Sequence, residues 1–269
     1  MQKIGGMDVN ISQKDRAILR DTAKWMAELA ASERNQRLYR EWEAYGNTKS
    51  PARPMIRIEI NRFEHEILPA LQKCEGETAR AIETNMLRPI ANFTLFEDDT
   101  MVPSYYNIGN HAFIRPFGLP VRRQETAEGV GHHFIPYLHE LEADDHLLGP
   151  TQFGMNEEST QRELEEMQEL FGDIIPVRRG GGCLVSCIMQ DLVHIMNMDD
   201  LYIAMIDEEE RFHAMMERIS DDYIAYFEML ERGGYLRSAA TAQHLNQGTY
   251  CFRNQTSDSM HSCISLVAT

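Results

Sequence analysis

The alternation of apolar and polar positions is most regular in the second half of the chain, where it predicts one unit of a parallel α/β fold. A short apolar run at 174–177 enters a glycine turn at 180–182, and a helical segment follows at 184–196. A longer helix is predicted at 207–231, because apolar residues recur there at helical spacing after an acidic first turn and before a glycine pair. Tyr235, Leu236 and Arg237 after this helix predict the next strand. Strand, helices and strand in this order indicate a parallel sheet, whose ligands bind at the carboxyl ends of the strands.

The first half of the chain contains a long helical pattern and two patterns typical of strands. Ser12, with Asp15 three residues later, predicts a helix start, and the helical pattern continues to about Tyr45. The alternation at 55–60 predicts a first strand, and the apolar residues 93–96 predict a second strand. Polar residues follow both patterns, so the ends of these strands are candidate positions for a site.

Composition narrows the class of protein. With 269 residues, of which 43% are hydrophobic, the chain can bury a core of its own. A net charge of −16, from 42 acidic and 26 basic side chains, disfavours nucleic acid and anionic membranes as partners. No apolar run reaches the roughly 18 to 20 residues of a membrane span, and five cysteines at irregular spacing indicate no disulfide framework. We therefore expect a folded cytoplasmic protein with reduced thiols and without nucleic-acid or membrane partners.

The ends of the predicted strands hold the candidate site residues. Glu59, Asn61 and Arg62 lie at the end of the first predicted strand, and Asp98 follows the second. Arg178 follows the apolar run that enters the glycine turn. A carboxylate such as Asp98 can have its pKa tuned for proton transfer, or it can anchor a cationic group. Aspartate is also a common turn residue, so a capping role for Asp98 stays open.

Histidines and cysteines give only a weak indication of a metal site. Four histidines fall in one irregular stretch: His132, His133, His139 and His146. Their spacing does not form a metal-ligand pattern on a helix face. His261 and Cys263, with Cys251 upstream, are zinc-type ligands by chemistry, but they are few. No residue is assigned as a metal ligand.

Several segments resemble the uroporphyrinogen decarboxylase superfamily. In that family the second strand ends in a phenylalanine, one residue, an aspartate and an apolar stretch closing on Val-Pro, and FEDDTMVP at 96–103 has this form. PMIRIEINRFEHEILP at 54–69 is similar to the family's first strand and loop, and the segment from Pro176 is similar to its third strand and glycine turn. The helix at 207–231 resembles the long helix that follows in many members. The resemblance covers roughly residues 50–240 and implies a (β/α)8 TIM-barrel-type fold.

The resemblance also implies roles for individual residues. Asp98 matches the family's catalytic aspartate, which binds the pyrrole nitrogens of the porphyrinogen. The family's decarboxylases hold substrate carboxylates with two first-loop arginines, where this chain has Glu59 near the first position and Arg62 close to the second. Gln190 stands in place of a tyrosine near the start of the third helix. The implied catalytic residue is thus Asp98, and the implied substrate-binding residues are Glu59, Asn61, Arg62, Arg178 and Gln190.

The extent of the chain predicts only part of such a barrel. A complete barrel needs about 250 residues, and the first strand begins here only near residue 55. We therefore expect an N-terminal helical extension at 1–50, a partial barrel comprising the first half of the fold at 51–250, and an atypical polar tail at 251–269. The corresponding hypothesis is a truncated or frame-shifted family member. Its open sheet edges predict self-association into a homo-oligomer.

These observations lead to two expectations for function. The first is a uroporphyrinogen decarboxylase-like barrel protein that acts in corrinoid-linked methyl transfer or on a related small-molecule substrate. True porphyrinogen decarboxylation is disfavoured, because a highly carboxylated substrate needs cationic partners that the first loop lacks. The superfamily's methyltransferases hold zinc with a His-x-Cys motif that His261 and Cys263 match in letters, so zinc and a corrinoid protein are the implied cofactor and partner. The alternative is a catalytically inactive fragment or interaction protein that retains the first half of the fold.

Overall fold

The computed structural model of the protein describes residues 11–47, 53–125, 131–180 and 186–236. In this part of the chain α-helices combine with three two-stranded sheets, which confirms the mixed α/β class. Contacts divide the chain into two compact units, and each unit has its own hydrophobic core. The first unit comprises the described residues 11–47, 53–110 and 157–180, and the second comprises 111–125, 131–156 and 186–236.

The described residues form nine α-helices and six short strands. The α-helices are α1 Gln13–Ala31, α2 Glu33–Asn47, α3 Glu64–Ile67, α4 Glu77–Ala91, α5 Leu141–Asp144, α6 Glu157–Phe171, α7 Ile188–Val193, α8 Met198–Asp207 and α9 Glu209–Arg232. The strands are β1 Tyr106–Ile108, β2 Ala112–Arg115, β3 Arg123–Glu125, β4 His132–Phe134, β5 Gln152–Met155 and β6 Val177–Arg179.

The N-terminal helical pattern forms two helices in place of one. The predicted start is confirmed, since the Ser12 hydroxyl accepts a hydrogen bond from the Asp15 amide at 3.0 Å. The chain leaves the helical conformation at Ser32, whose hydroxyl donates to the Leu29 carbonyl at 2.6 Å, and α2 begins at the next residue. Serine competes in this way for backbone hydrogen bonds, which accounts for the break.

The core of the first unit lies where α1, α4 and α6 meet. Leu19 of α1, Met86 and Ile90 of α4, and Phe171 of α6 are all completely shielded from solvent. The helices predicted as an N-terminal extension therefore share one core with α4 and α6. The division predicted at residues 50 and 250 itself stays a prediction.

Both strands predicted in the first half of the chain are wrong. Residues 54–59 are extended but form no strand, and Ile60–Arg62 is a turn of 3-10 helix. Asn92–Phe96 continues α4 as a π-helix, which ends at Glu97 in the left-handed conformation (φ 50°). Continuing the helix keeps Phe93 in the same core as α4, a tertiary preference that a short apolar run does not reveal.

One of the predicted strands, β6, forms a parallel pair, but its partner is a segment that was not predicted as a strand. β6 runs parallel to β1, with Tyr106 opposite Val177 and Ile108 opposite Arg179. The predicted strand thus starts at Val177, three residues later than its apolar run. Gly180 continues the pairing by donating to the Ile108 carbonyl at 2.9 Å, and a Cβ there would lie only 2.7 Å from that oxygen. The next two glycines of the predicted turn lie outside the described residues.

The second unit is organised around α9. The predicted long helix is confirmed from Glu209 to Arg232, and Gly234 adopts the left-handed conformation (φ 68°) just after its end. Its buried face packs with α5, α7 and α8, while β2 pairs antiparallel with β5 and β3 with β4. The helix predicted at 184–196 is shorter, forming α7 only at Ile188–Val193. The strand predicted at 235–237 lies partly outside the described residues.

Candidate functional site

The structure brings most of the predicted site residues into the first unit. Asn61 lies on the 3-10 turn and Glu59 is the residue before that turn. Asp98 lies near them because it binds the backbone of Ile58. Arg178 lies on β6 in the same unit. The backbone of Arg62 belongs to the turn, but its side chain lies outside the described part of the structure, and Gln190 belongs to the second unit.

Asp98 is held by a dense set of hydrogen bonds. It is only 8% exposed. Its Oδ2 accepts from the Ile58 amide at 2.7 Å, from Asn92 Nδ2 at 2.6 Å and from the Thr100 hydroxyl at 3.0 Å. Its Oδ1 accepts from the Thr100 amide at 2.9 Å. The carboxylate therefore joins the extended segment, the π-helix and the loop that follows it.

Asp99 completes this arrangement on the outer side. Its carboxylate receives both terminal nitrogens of Arg53, at 2.7 and 2.9 Å, and the Ile56 amide at 2.7 Å. Burial would raise the pKa of Asp99, but the Arg53 guanidinium and the Ile56 amide outweigh that effect and hold the pKa below its ordinary value. Arg53 also pairs with Glu41 of α2 at 2.6 Å. The two consecutive aspartates thus take the hydrogen bonds that a neighbouring strand would have made.

A cavity of about 1040 Å³ opens beside these residues, within the first unit. Its wall is formed by α1 and α2, the segment 57–61, α4 with Asn92, and residues 100–107, which lead into β1. Glu59 and Asn61 line it, as do Asn92 and Thr100, the two side chains that bind Asp98. Asp98 itself is not among the described lining residues and lies behind them.

The charged groups of the cavity wall are mostly cationic. Three arginines line it, Arg40, Arg57 and Arg88, against one carboxylate, Glu59. Arg88 is matched by Glu64, with contacts of 2.5 and 2.8 Å. Arg57 approaches the Thr100 hydroxyl at 3.4 Å. The local excess of positive charge contrasts with the net charge of −16 of the whole chain.

Two neighbouring tyrosines give the cavity an aromatic side. Arg178 stacks on the ring of Tyr105, with its guanidinium carbon 4.4 Å from the ring centre. Burial raises the pKa of Tyr105, and Arg178 partly opposes that shift. Burial also raises the pKa of Tyr106 to about 12. Arg178 therefore reaches the cavity through Tyr105.

Sequence reasoning missed Arg40, Arg57 and Asn92. Arg57 precedes Glu59 by two residues, so the alternation that singled out Glu59 could also have indicated it. Arg40 follows Gln36, another lining residue, by one helical turn of α2. Asn92 gave no signal, because its role depends on the π-helix that turns it towards Asp98.

In the second unit, Gln190 lies on the exposed side of α7. Its Nε2 is 3.1 Å from Nε2 of His194. Nearby, the hydroxyl of Tyr223 donates to the carboxylate of Asp191, a contact that the sequence did not indicate. Burial raises the pKa of Asp191, although the Tyr223 hydroxyl works against this shift.

Within the described ranges, no group of three or more histidine, cysteine or acidic side chains is arranged to hold a metal ion. The described part therefore supplies no fitting zinc site. The candidate zinc ligands Cys251, His261 and Cys263 lie outside it. None of the helices described in the structure combines the length and the apolar character needed to cross a membrane.

Comparison with protein-family models, with curated proteins and with solved structures finds no match for this chain. The cavity and its charges are thus the observations on which a function can be argued.

Proposed function

We propose that the first unit binds a small anionic molecule in its arginine-lined cavity, and that the chain is a uroporphyrinogen decarboxylase-like protein. On this proposal it acts in corrinoid-linked methyl transfer or on a related small substrate, rather than as a true porphyrinogen decarboxylase. The observation that carries the proposal is the reversal of charge: with Arg88 offset by Glu64, two further arginines and one glutamate line the cavity of a chain with a net charge of −16. Such a local reversal attracts anions into the cavity.

The three arginines contribute unequally. Arg88 is already neutralised by Glu64, so it mainly shapes the wall. Arg40 is exposed and, within the described ranges, forms no ion pair with a carboxylate. Arg57 lines the cavity beside Thr100, whose hydroxyl lies 3.4 Å from its Nε. Arg40 and Arg57 are therefore the groups proposed to bind the anion, with Asn61 and Tyr105 as neutral hydrogen-bonding partners.

Asp98 acts in this proposal through its neighbours. By accepting from Asn92 and Thr100 it sets the direction in which these two side chains face the cavity. A catalytic role of the kind the resemblance implies would require Asp98 to exchange one of these bonds for the substrate. The barrel-type fold is likewise part of the proposal, and the parallel pairing of β1 with β6 supports it.

Binding of glutarate and of its neutral diamide, compared by isothermal titration calorimetry on the full chain, tests the proposal. Glutarate is expected to bind and the diamide to bind much more weakly. Arg40→Gln is expected to weaken glutarate binding about fivefold, roughly 1 kcal/mol. Arg37→Gln is the matched control, since Arg37 lies one turn earlier on α2, is exposed, and is not among the described lining residues. Equal effects of the two substitutions, or no preference for the dianion, would contradict the proposal.

The alternative of a non-catalytic protein is favoured by one observation, the four hydrogen bonds that already occupy Asp98. Two assays on the full chain separate the possibilities. One follows methyl transfer from methylcobalamin to a thiol, and the other follows carbon dioxide release from uroporphyrinogen. Anion binding with neither reaction would support the non-catalytic alternative, whereas methyl transfer would support the enzyme.

A further inference from the structure

We propose that α8 of the second unit is a docking surface for a protein segment that presents an apolar helical face flanked by lysine or arginine. Helix α8 is apolar on two sides. Leu201 and Ala204 are buried against the core of the second unit. The remaining apolar residues are exposed: Met198 53%, Tyr202 55%, Ile203 56%, Met205 41% and Ile206 80%.

These exposed residues form one continuous face. At about 100° per residue, they cover an arc of roughly 160°, centred about 150° from the direction of Leu201 and Ala204. Met198, Tyr202 and Ile206 follow one another at intervals of one helical turn, so they form a straight stripe along the helix. An exposed apolar patch of this kind on a helix whose other apolar side is already buried is typical of an interaction surface, so this second face indicates a partner.

Charge selects the kind of partner. Four exposed carboxylates lie on or next to α8 in the chain: Asp199 in its first turn, Asp207 at its last residue, and Glu209 and Glu210 in the first turn of α9. Among the residues that the structure describes, none of the four has an ion-pair partner. Arg211, the nearest cation in sequence, is paired with Glu142 at 3.6 Å. A partner that covers the apolar face must approach these carboxylates, so basic flanks are favoured and acidic flanks are repelled.

The same charges disfavour two other occupants. If two copies of the chain formed a symmetric dimer with α8 at the interface, the carboxylates of one α8 would face those of the other and repel them. An anionic membrane surface would be repelled for the same reason. The self-association expected from the sequence is therefore not the occupant that this surface favours.

The test measures fluorescence anisotropy of two labelled amphipathic peptides with the full chain. Both peptides carry the same leucine face; one has lysine flanks and the other glutamate flanks. The lysine peptide is expected to bind at least about tenfold more tightly, and its affinity is expected to fall with added salt. Replacing both Ile203→Ser and Ile206→Ser is expected to weaken its binding at least about tenfold. These side chains are exposed, so the substitutions leave the core intact.

A matched control separates docking from general attraction between a basic peptide and an acidic protein. Ile224 of α9 is as exposed as Ile203, at 56%, but lies outside α8. Ile224→Ser is expected to leave binding unchanged. The proposal is overturned if Ile224→Ser weakens binding as much as the α8 substitutions, or if the two peptides bind equally. It is also overturned if Ile206→Ser abolishes a dimer seen by sedimentation velocity, or binding to phosphatidylserine vesicles, because a second copy or a membrane would then be the occupant.

Discussion

Replacing Asp98 tests how strongly the first unit depends on a single carboxylate. In Asp98→Asn one oxygen becomes an amide nitrogen, which donates where a carboxylate accepts. The best orientation keeps the oxygen towards Ile58 and Asn92 and turns the amide nitrogen towards the Thr100 amide, so two donors meet. Losing one charge-assisted hydrogen bond and leaving a buried donor unpaired costs about 1.5–3 kcal/mol. Asp98→Ala removes all four bonds and is expected to cost about 4 kcal/mol or more.

The two tryptophans of the chain make this loss measurable in the first unit alone. Trp25 and Trp42 both lie in that unit, and the indole nitrogen of Trp42 donates to the Asp99 carbonyl at 2.7 Å. Urea unfolding followed by tryptophan fluorescence therefore reports on the neighbourhood of Asp98. With a slope of about 2 kcal/mol per molar urea, a loss of about 2 kcal/mol lowers the midpoint by roughly 1 M.

Asp21→Asn provides the control, since Asp21 is an exposed residue of α1 paired with Lys24 at 2.9 Å. An exposed ion pair contributes little, so its midpoint is expected to stay close to that of the unchanged protein. If Asp98→Asn unfolds at the same urea concentration as Asp21→Asn, then Asp98 does not hold the extended segment in place, and the structural role derived for it is wrong.

Two further predictions concern titration and reactivity near the start of α4. The pKa of Asp15 is lowered chiefly by the Glu75 amide, with burial opposing the shift and the Gly76 amide adding to it. Because the unfolded chain therefore binds more protons, this stabilisation is present above about pH 4 and is lost as the pH falls further. The urea midpoints at pH 7 and pH 3 should then differ less in Asp15→Asn than in the unchanged protein. Burial raises the pKa of Cys74 to about 12, whereas Cys187 is exposed. Iodoacetamide at pH 8 should therefore label Cys187 in the folded protein and Cys74 only after denaturation, as measured by peptide mass mapping. Labelling of both cysteines in the folded protein would contradict this prediction.

The candidate site was predictable in part, because the polar residues that follow two separate apolar runs lie close together in the structure. The first-loop residues Glu59 and Asn61 and the later Asp98 were expected to meet at the ends of parallel strands. They do lie close together, but the connection is made by the side chains of Asp98 and Asn92 binding the backbone at Ile58. The sequence therefore predicted correctly that these residues lie near one another. The assumed reason, pairing of two strands, is wrong, because residues 54–59 form no strand.

The cationic character of the cavity could not be predicted in the same way. Its arginines come from α2, from the extended segment and from α4, and each is an ordinary surface residue in its own stretch of sequence. Only packing decides that Arg40, Arg57 and Arg88 share a wall, and that Glu64 neutralises one of them.

The sequence by itself determined the features that depend on neighbouring residues. It predicted the start of α1 at Ser12, the long helix α9 and its end before Gly234, because capping and helical periodicity act within a few residues. Tertiary structure decided what the short apolar runs become. Residues 93–96 join a helix because Phe93 is buried with α4. Residues 54–59 stay outside a sheet, since Asp99 and Asp98 bind the amides of Ile56 and Ile58. A run of four apolar residues is compatible with either structure, so contacts with distant parts of the chain settle the outcome.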